Sequence, residues 1–109
     1  MDGFVRVGKV RDFPERRGKA VLVDGVRVAV FREGSRCVAV DDTCPHMRAS
    51  LSAGTFDGTH VECGMHHWRF DVATGKSGSR TGAAVRVHEV RVSSGEVHLR
   101  LRESGGSAR

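Results

Sequence analysis

Apolar and polar residues alternate along much of the chain, and this period of two is typical of β-strands with one buried face. The first alternating run covers residues 4–7. Two further apolar runs, at residues 20–23 and 26–31, flank the pair Asp24-Gly25. This pair favours the positive backbone angles of a tight hairpin turn. The pattern therefore predicts a β-hairpin near the start of the chain.

The same pattern continues to the end of the chain. Glu33-Gly34-Ser35 predicts a turn into a strand at residues 36–41. Residues 85–92 and 97–101 alternate around Ser93-Ser94-Gly95, which predicts a closing hairpin. No periodic stretch is long enough for a good helix. We therefore predict an all-β fold, a small and mostly antiparallel barrel or sandwich.

The length of 109 residues fits a single domain, which we place at residues 1–103. Residues 104–109 are small and polar apart from the last arginine, and we expect a disordered tail. No apolar run approaches the roughly 20 residues of a membrane span. The first residues lack the apolar core of an export signal. We expect a monomer in the cytoplasm that does not bind membranes.

Two short clusters in the middle of the chain carry metal-ligand chemistry. They are Cys44-Pro45-His46 and Cys63-Gly64-Met65-His66, with sixteen residues between His46 and Cys63. Each cluster supplies one thiolate and one imidazole. Zinc fingers of the two-Cys, two-His kind usually take both sulfurs from one close pair and both imidazoles from another. The mixed pairs instead suit a binuclear centre in which one iron takes both cysteines and the other both histidines.

Short strand signals lie next to the second cluster. Asp57-Gly58 predicts a turn before a strand at residues 59–62 that delivers Cys63. Residues 68–70 leave the cluster and turn at residues 73–75. Each ligand pair is therefore predicted at the tip of a hairpin-like loop. Neighbouring strands about 4.8 Å apart would hold two such loops side by side.

The order C-x-H, sixteen residues, C-x-x-H, an aromatic residue, Phe-Asp and Thr-Gly resembles the Rieske [2Fe-2S] fingerprint. The flanking residues 38–42 and 68–71 are also similar to that family. The resemblance implies a barrel with a two-loop cluster-binding subdomain at about residues 43–82. It also implies one [2Fe-2S] cluster as cofactor. The ligands that the resemblance implies are Cys44, His46, Cys63 and His66.

Among Rieske proteins, the chain is similar to free-standing ferredoxins that carry single electrons from a flavin-dependent reductase to a terminal oxygenase. This implies redox proteins as partners. We do not expect an enzyme, because protein ligands fill the iron sites and the chain has no room for a second domain with mononuclear iron. Two alternatives remain: the small subunit of an assimilatory nitrite reductase, and a zinc-stabilised binding module.

The formal net charge is +5, and much of the excess lies on arginines. Either these arginines form a solvated outer face, or they form a docking surface for an acidic protein. Nucleic acid is not an expected partner, because the chain lacks an aromatic stripe that could stack bases and any recognisable binding module. The arginines concerned include Arg27, Arg86, Arg91, Arg100, Arg102 and Arg109.

Several residues near the clusters, or of similar type, have a simpler interpretation. Cys37 lies in a predicted strand, where we expect a buried and inert thiol. His67 follows His66, and we expect a surface histidine rather than a ligand. The residues Met47, Met65 and Trp68 either shield the cluster from water or also contact a partner. We expect partly exposed sheet positions for His60, His88 and His98, and a polar loop at residues 76–82.

Overall fold

The computed structural model of the chain describes residues 3–43, 50–64, 68–77 and 84–102. These residues form nine β-strands and two 3-10 helices. The strands are β1 (Val5–Lys9), β2 (Gly18–Val23), β3 (Val26–Glu33), β4 (Arg36–Asp41), β5 (Thr55–Phe56), β6 (His60–Glu62), β7 (Arg69–Asp71), β8 (Val87–Ser93) and β9 (Glu96–Arg100). The 3-10 helices are η1 (Val10–Asp12) and η2 (Leu51–Ala53).

The strands form two antiparallel sheets, and the predicted all-β fold is confirmed. The larger sheet has the order β1-β9-β8-β4-β3-β2, and the smaller has the order β5-β6-β7. In the larger sheet the edge strands β1 and β2 contact each other, so this sheet curls into a nearly closed barrel. The predicted hairpin between β2 and β3 is also confirmed, with φ of 49° at Asp24 and 81° at Gly25.

Strand β3 is buried on both faces, because its apolar residues do not alternate with polar ones in the middle of the strand. Val28 and Val30 point into one core cluster together with Val97 and Leu99 of β9. Phe31 points to the other side, where its ring lies 5.2 Å from that of Phe56 in the smaller sheet. The barrel and the smaller sheet are therefore joined by a second apolar core.

Some element boundaries differ from the sequence prediction. Strand β8 begins at Val87, two residues later than predicted, because Val85 lies outside the ladder and is buried in the core beside the smaller sheet. The short elements β5 and η2 have too few residues to show a period, so the pattern did not predict them. The predicted loop at residues 76–82 is described only at its start, where Ser77 bridges Phe70. The predicted tail at residues 104–109 lies outside the described residues.

Among the residues that the structure describes, no helix has the length and apolar character to cross a membrane.

Candidate metal centre

The first predicted ligand pair lies on a loop whose two ends meet. Thr43, just after β4, forms an antiparallel bridge with Ser50. The backbone N–H of Leu51 donates a hydrogen bond to the carbonyl oxygen of Asp42. The residues on either side of positions 44–49 are therefore hydrogen-bonded neighbours. Cys44 and His46 belong to the segment between these ends, at residues 44–49, which lies outside the described residues.

The second predicted ligand pair begins at the end of β6. Cys63 is 1% exposed, and its backbone N–H donates a 2.7 Å hydrogen bond to the carbonyl oxygen of Trp68. This bond closes the base of the second loop. His66 lies outside the described residues, as do Met47, Met65 and His67. Of the four predicted ligands, the structure therefore describes Cys63, whose thiol is buried and not in a disulfide.

The segment at residues 50–54 connects the bases of the two loops. A Cβ atom on Gly54 would lie 2.1 Å from the carbonyl oxygen of Glu62, the residue before Cys63. A Cβ atom on Gly18 would lie 2.4 Å from the carbonyl oxygen of Ser52. Backbone atoms approach so closely here because both positions lack a side chain. The base of the first loop is thus packed between the start of β2 and the end of β6.

The carboxylate of Asp42 is the main polar contact at the base of the first loop. It is 1% exposed and accepts hydrogen bonds from the hydroxyl of Ser50, the backbone N–H of Ser52 and the guanidinium of Arg27. Burial raises the pKa of Asp42, but these hydrogen bonds outweigh it and hold the pKa below its ordinary value. The carboxylate is therefore charged and fully bonded at neutral pH.

The neighbouring Asp41 fixes the same strand end to β8. Its carboxylate accepts a 3.0 Å hydrogen bond from Nε of Arg86. It also lies 2.8 Å from Nε2 of His88, whose Nδ1 accepts the backbone N–H of Arg102 at 3.0 Å. The histidine therefore has its proton on Nε2 and donates it to Asp41. Burial raises the pKa of Asp41, but the hydrogen bonds from His88 and Arg86 lower it by more.

The prediction of a partly exposed His88 is wrong, because this side chain is buried, with 3% of its surface exposed. Its two ring nitrogens form hydrogen bonds with Asp41 and with the backbone N–H of Arg102, and a polar ring with both nitrogens bonded can be buried. His60 and His98 are intermediate in exposure, as predicted. Cys37 is buried in β4, as predicted, and burial raises the pKa of its thiol.

Two of the arginines that were considered for a solvated face or a docking surface pair with carboxylates of the fold. Arg27 pairs with Asp42, and Arg86 pairs with Asp41. Both therefore contact carboxylates at the base of the first loop. Arg91 instead lies with its guanidinium 4.3 Å from the ring centre of Phe4. Sequence reasoning missed the role of the Asp41-Asp42 pair, although two acidic residues directly before a ligand loop, with Ser50 and Ser52 directly after it, were an available signal.

The carboxylate of Asp57 holds the turn between β5 and β6. It accepts the backbone N–H of Thr59 at 2.9 Å and that of His60 at 2.7 Å, and Arg69 donates to its second oxygen at 2.8 Å. The hydrogen bonds from Thr59 and His60 hold the pKa of Asp57 well below its usual value of 3.8. This turn precedes the strand that delivers Cys63.

We expect the stabilising effect of Asp57 to depend on pH. The pKa of Asp57 is lower in the folded than in the unfolded protein. Its contribution to the free energy of unfolding is therefore complete above about pH 4 and is lost as the pH falls through the pKa of the folded state. The difference in unfolding free energy between the wild type and Asp57→Asn should be constant near neutral pH and shrink in acid. Urea denaturation at several pH values measures it, and a difference that grows in acid would contradict this assignment.

Comparison with known proteins settles the family. The sequence profile of the Rieske [2Fe-2S] domain matches residues 3–92. The chain belongs to the Rieske [2Fe-2S] domain family. Its cofactor is a Rieske-type [2Fe-2S] cluster, and the mixed thiolate and imidazole donors of the two loops are the donor set that such a cluster requires. The buried and unbridged thiol of Cys63, at the closed base of the second loop, fits this Rieske chemistry.

Two similar proteins are ferredoxins. Ferredoxin CarAc from Metapseudomonas resinovorans is 42% identical over 78 residues, which cover 71% of this Rieske chain and 73% of the relative. The solved complex of reduced oxygenase and oxidized ferredoxin in carbazole 1,9a-dioxygenase contains a chain with 32% identity and a TM-score of 0.79. That match covers 95% of this chain and 100% of the other.

The Rieske fold is also shared with a protein of another kind. A putative NADH-dependent nitrite reductase small subunit from Mycobacterium tuberculosis has a TM-score of 0.83 and 23% identity. The match covers 93% of this chain and 96% of that one. At this identity the likeness concerns the fold alone.

Proposed function

We propose that the protein is a Rieske-type ferredoxin that passes single electrons from a flavin-dependent reductase to a terminal oxygenase. The observation that carries the proposal is the Rieske match over residues 3–92 together with similarity, at 30% identity or more, to ferredoxins of oxygenase systems. We assign Cys44, His46, Cys63 and His66 as the cluster ligands. In this proposal residues 1–103 form the domain and residues 43–82 its cluster-binding part.

When bound, a Rieske cluster supplies a one-electron couple at about −150 to +300 mV, against about −400 mV for all-cysteine plant-type clusters. The residues of the protein bind the cluster and shield it from water. Cys63 is buried and presents its sulfur from an apolar core. Trp68 is half-buried against the same core, with its ring centre 6.5 Å from that of Phe70. These contacts keep water away from Cys63.

We propose that the protein itself is an electron carrier and not an enzyme. Its relatives are named as ferredoxins, and the four assigned ligands would fill the protein-bound iron positions. The chain would act as a cytoplasmic monomer that meets its redox partners by diffusion. Light scattering of the purified holoprotein tests whether it is a monomer, and a stable dimer would contradict this part of the proposal.

Electron transfer between purified components tests the proposed function. The holoprotein should be reduced by a flavoprotein reductase of an aromatic-ring dioxygenase system and should support turnover by the matching oxygenase. Its electron paramagnetic resonance spectrum after reduction should be that of a histidine-ligated [2Fe-2S] cluster. Ferredoxin heated to destroy the cluster is the control. A holoprotein that no such reductase reduces would contradict the proposal.

The small subunit of a nitrite reductase, the alternative that the sequence left open, is the second candidate. Co-purification with a large sirohaem enzyme, or reduction only within such a complex, would favour it. A colourless protein with zinc and no acid-labile sulfide, after isolation without oxygen, would instead indicate a zinc-stabilised module and exclude both redox functions.

The reduction potential should lie in the lower part of the Rieske range. High-potential Rieske proteins use a phenol hydrogen bond to a ligand sulfur, and this sequence contains no tyrosine. Hydrogen bonds to sulfur stabilise the reduced cluster, so their loss lowers the potential. Cyclic voltammetry of the holoprotein measures it. A potential near +300 mV, at the top of the family range, would contradict the prediction.

A further inference from the structure

We infer that Asp42 is a positioning residue that, with Arg27, holds the first cluster loop in register with the second. The inference rests on the proposed ligands Cys44, His46 and Cys63. It concerns how the fold presents them to the cluster, and it assigns Asp42 no contact with iron.

The hydrogen bonds of Asp42 join both ends of the first loop. Its Oδ2 atom accepts the hydroxyl of Ser50 at 2.5 Å and Nη2 of Arg27 at 2.9 Å. Its Oδ1 atom accepts the backbone N–H of Ser52 at 2.8 Å. Because Asp42 precedes the loop while Ser50 and Ser52 follow it, the carboxylate spans the loop base. It does so in a place that solvent does not reach, with 1% of the residue exposed.

The backbone strengthens the same connection. The N–H of Asp42 donates to the carbonyl oxygen of Arg27 at 3.1 Å, so the residue is tied to β3 by main chain and side chain. The carbonyl oxygen of Asp42 accepts the N–H of Leu51, whose side chain is fully buried. The base of the loop is therefore anchored to the barrel on one side and to the core on the other.

The contact continues from the first loop to the second. Gly54 stands two residues after Ser52 and packs against the carbonyl oxygen of Glu62 so closely that a Cβ atom would lie 2.1 Å away. Glu62 is the residue before Cys63. A displacement of Ser52 would therefore move the segment that touches the start of the second loop. Asp42 thus influences the relative positions of both ligand pairs.

The network requires a carboxylate and not just a polar side chain. Both oxygens of Asp42 act as acceptors, and Arg27 donates through both Nε, at 3.2 Å, and Nη2. An asparagine offers one acceptor oxygen, and its NH₂ group would face either Arg27 or the N–H of Ser52. Asp42→Asn therefore either leaves the backbone N–H of Ser52 without its acceptor or places the NH₂ group against the guanidinium of Arg27.

The experiment compares Asp42→Asn and Arg27→Met with Asp57→Asn in the reconstituted holoprotein. Asp57 is the matched control because it, like Asp42, accepts hydrogen bonds from the backbone, a hydroxyl and an arginine, but in the turn between β5 and β6. The readouts are the rate of iron release to a chelator, the g values of the reduced cluster and the reduction potential. The apoproteins are compared by circular dichroism to confirm folding.

We expect iron release to be about 10- to 100-fold faster in Asp42→Asn, matching the 10- to 100-fold loss of metal affinity that follows removal of residues that orient metal ligands. Arg27→Met should change iron release in the same direction, and both variants should shift the g values. Asp57→Asn should match the wild type in all three readouts. If Asp42 and Arg27 acted only through their charges, Asp42→Asn and Arg27→Met would shift the reduction potential in opposite directions and leave iron release and g values unchanged. This result would overturn the inference.

A milder variant covers the case in which Asp42→Asn does not fold. Ser50→Ala removes the hydroxyl donor and keeps the carboxylate, so it should show a smaller change in the same direction. Wild-type behaviour of Ser50→Ala and Arg27→Met together would overturn the inference. Failure of the ligand assignment is distinguishable, because it would appear as normal cluster binding in His46→Ala.

Discussion

Replacement of Cys63 by alanine should remove the [2Fe-2S] cluster and lower the stability of the protein. Cys63 is buried at the closed base of the second loop, where its thiolate is one of the two assigned sulfur ligands. Because metal binding favours the ordered ligand geometry over the unfolded chain, loss of the metal also removes folding free energy. Iron and sulfide content, visible absorption and calorimetry measure the effect, and we expect close to complete loss of iron and colour.

The matched control is Cys37→Ala, because Cys37 is the other buried free thiol in the described part of the chain. It lies in β4 and packs into the barrel core, whereas Cys63 belongs to the core beside the smaller sheet. Cys37→Ala should keep full iron content, with only the modest instability of a smaller core side chain. A Cys63→Ala protein that retains a Rieske spectrum would refute the ligand assignment.

Replacement of Gly54 by alanine should have the second large effect, although Gly54 is not a ligand. The added Cβ atom would lie 2.1 Å from the carbonyl oxygen of Glu62, which belongs to the backbone and cannot rotate away. Gly54 has a φ of −86°, so the conflict is steric and not one of backbone preference. We expect a loss of about 3 kcal/mol or more in unfolding free energy.

Gly64→Ala is the matched control for this prediction, since a Cβ atom on Gly64 would meet no atom of the described residues within 4 Å. Gly64 stands between the predicted ligands of the second loop, so intuition would expect it to be the more sensitive position. We predict the opposite order in urea denaturation, with Gly64→Ala near the wild type. Equal stability of the two variants would show that the loop bases are not packed as described.

The hydrogen bonds of Asp42 and the close backbone approach at Gly54 belong to one structural unit. Residues 50–54 follow the first loop. Ser52 in this segment donates a hydrogen bond to Asp42, and Gly54 packs against the carbonyl oxygen of Glu62 at the end of β6. The same short segment therefore determines where both loops begin. This accounts for the sensitivity expected at Asp42 and Gly54, neither of which we assign as an iron ligand.

Periodicity determined much of this fold because one face of most strands is buried and the other is not. The hairpin at Asp24-Gly25, the strand carrying Cys37 and the closing hairpin of β8 and β9 all follow from that rule. The cluster ligands could be predicted as well, because a metal requires specific donor atoms at short spacing and the chain displays them in two mixed pairs. The family profile shows the Rieske family, and the assignment of the four individual ligands stays a prediction.

Other features were decided by tertiary structure, because they depend on residues far apart in sequence. The burial of His88 depends on Asp41 and on the N–H of Arg102. The pairing of β1 with β9, which extends the barrel sheet beyond the closing hairpin, joins opposite ends of the chain. The sequence by itself thus determined most of the strands and the candidate donor atoms, which are local properties. Only the packed structure decided that Asp42 and Gly54 hold the two loops together, because burial and close approach exist only once distant segments meet.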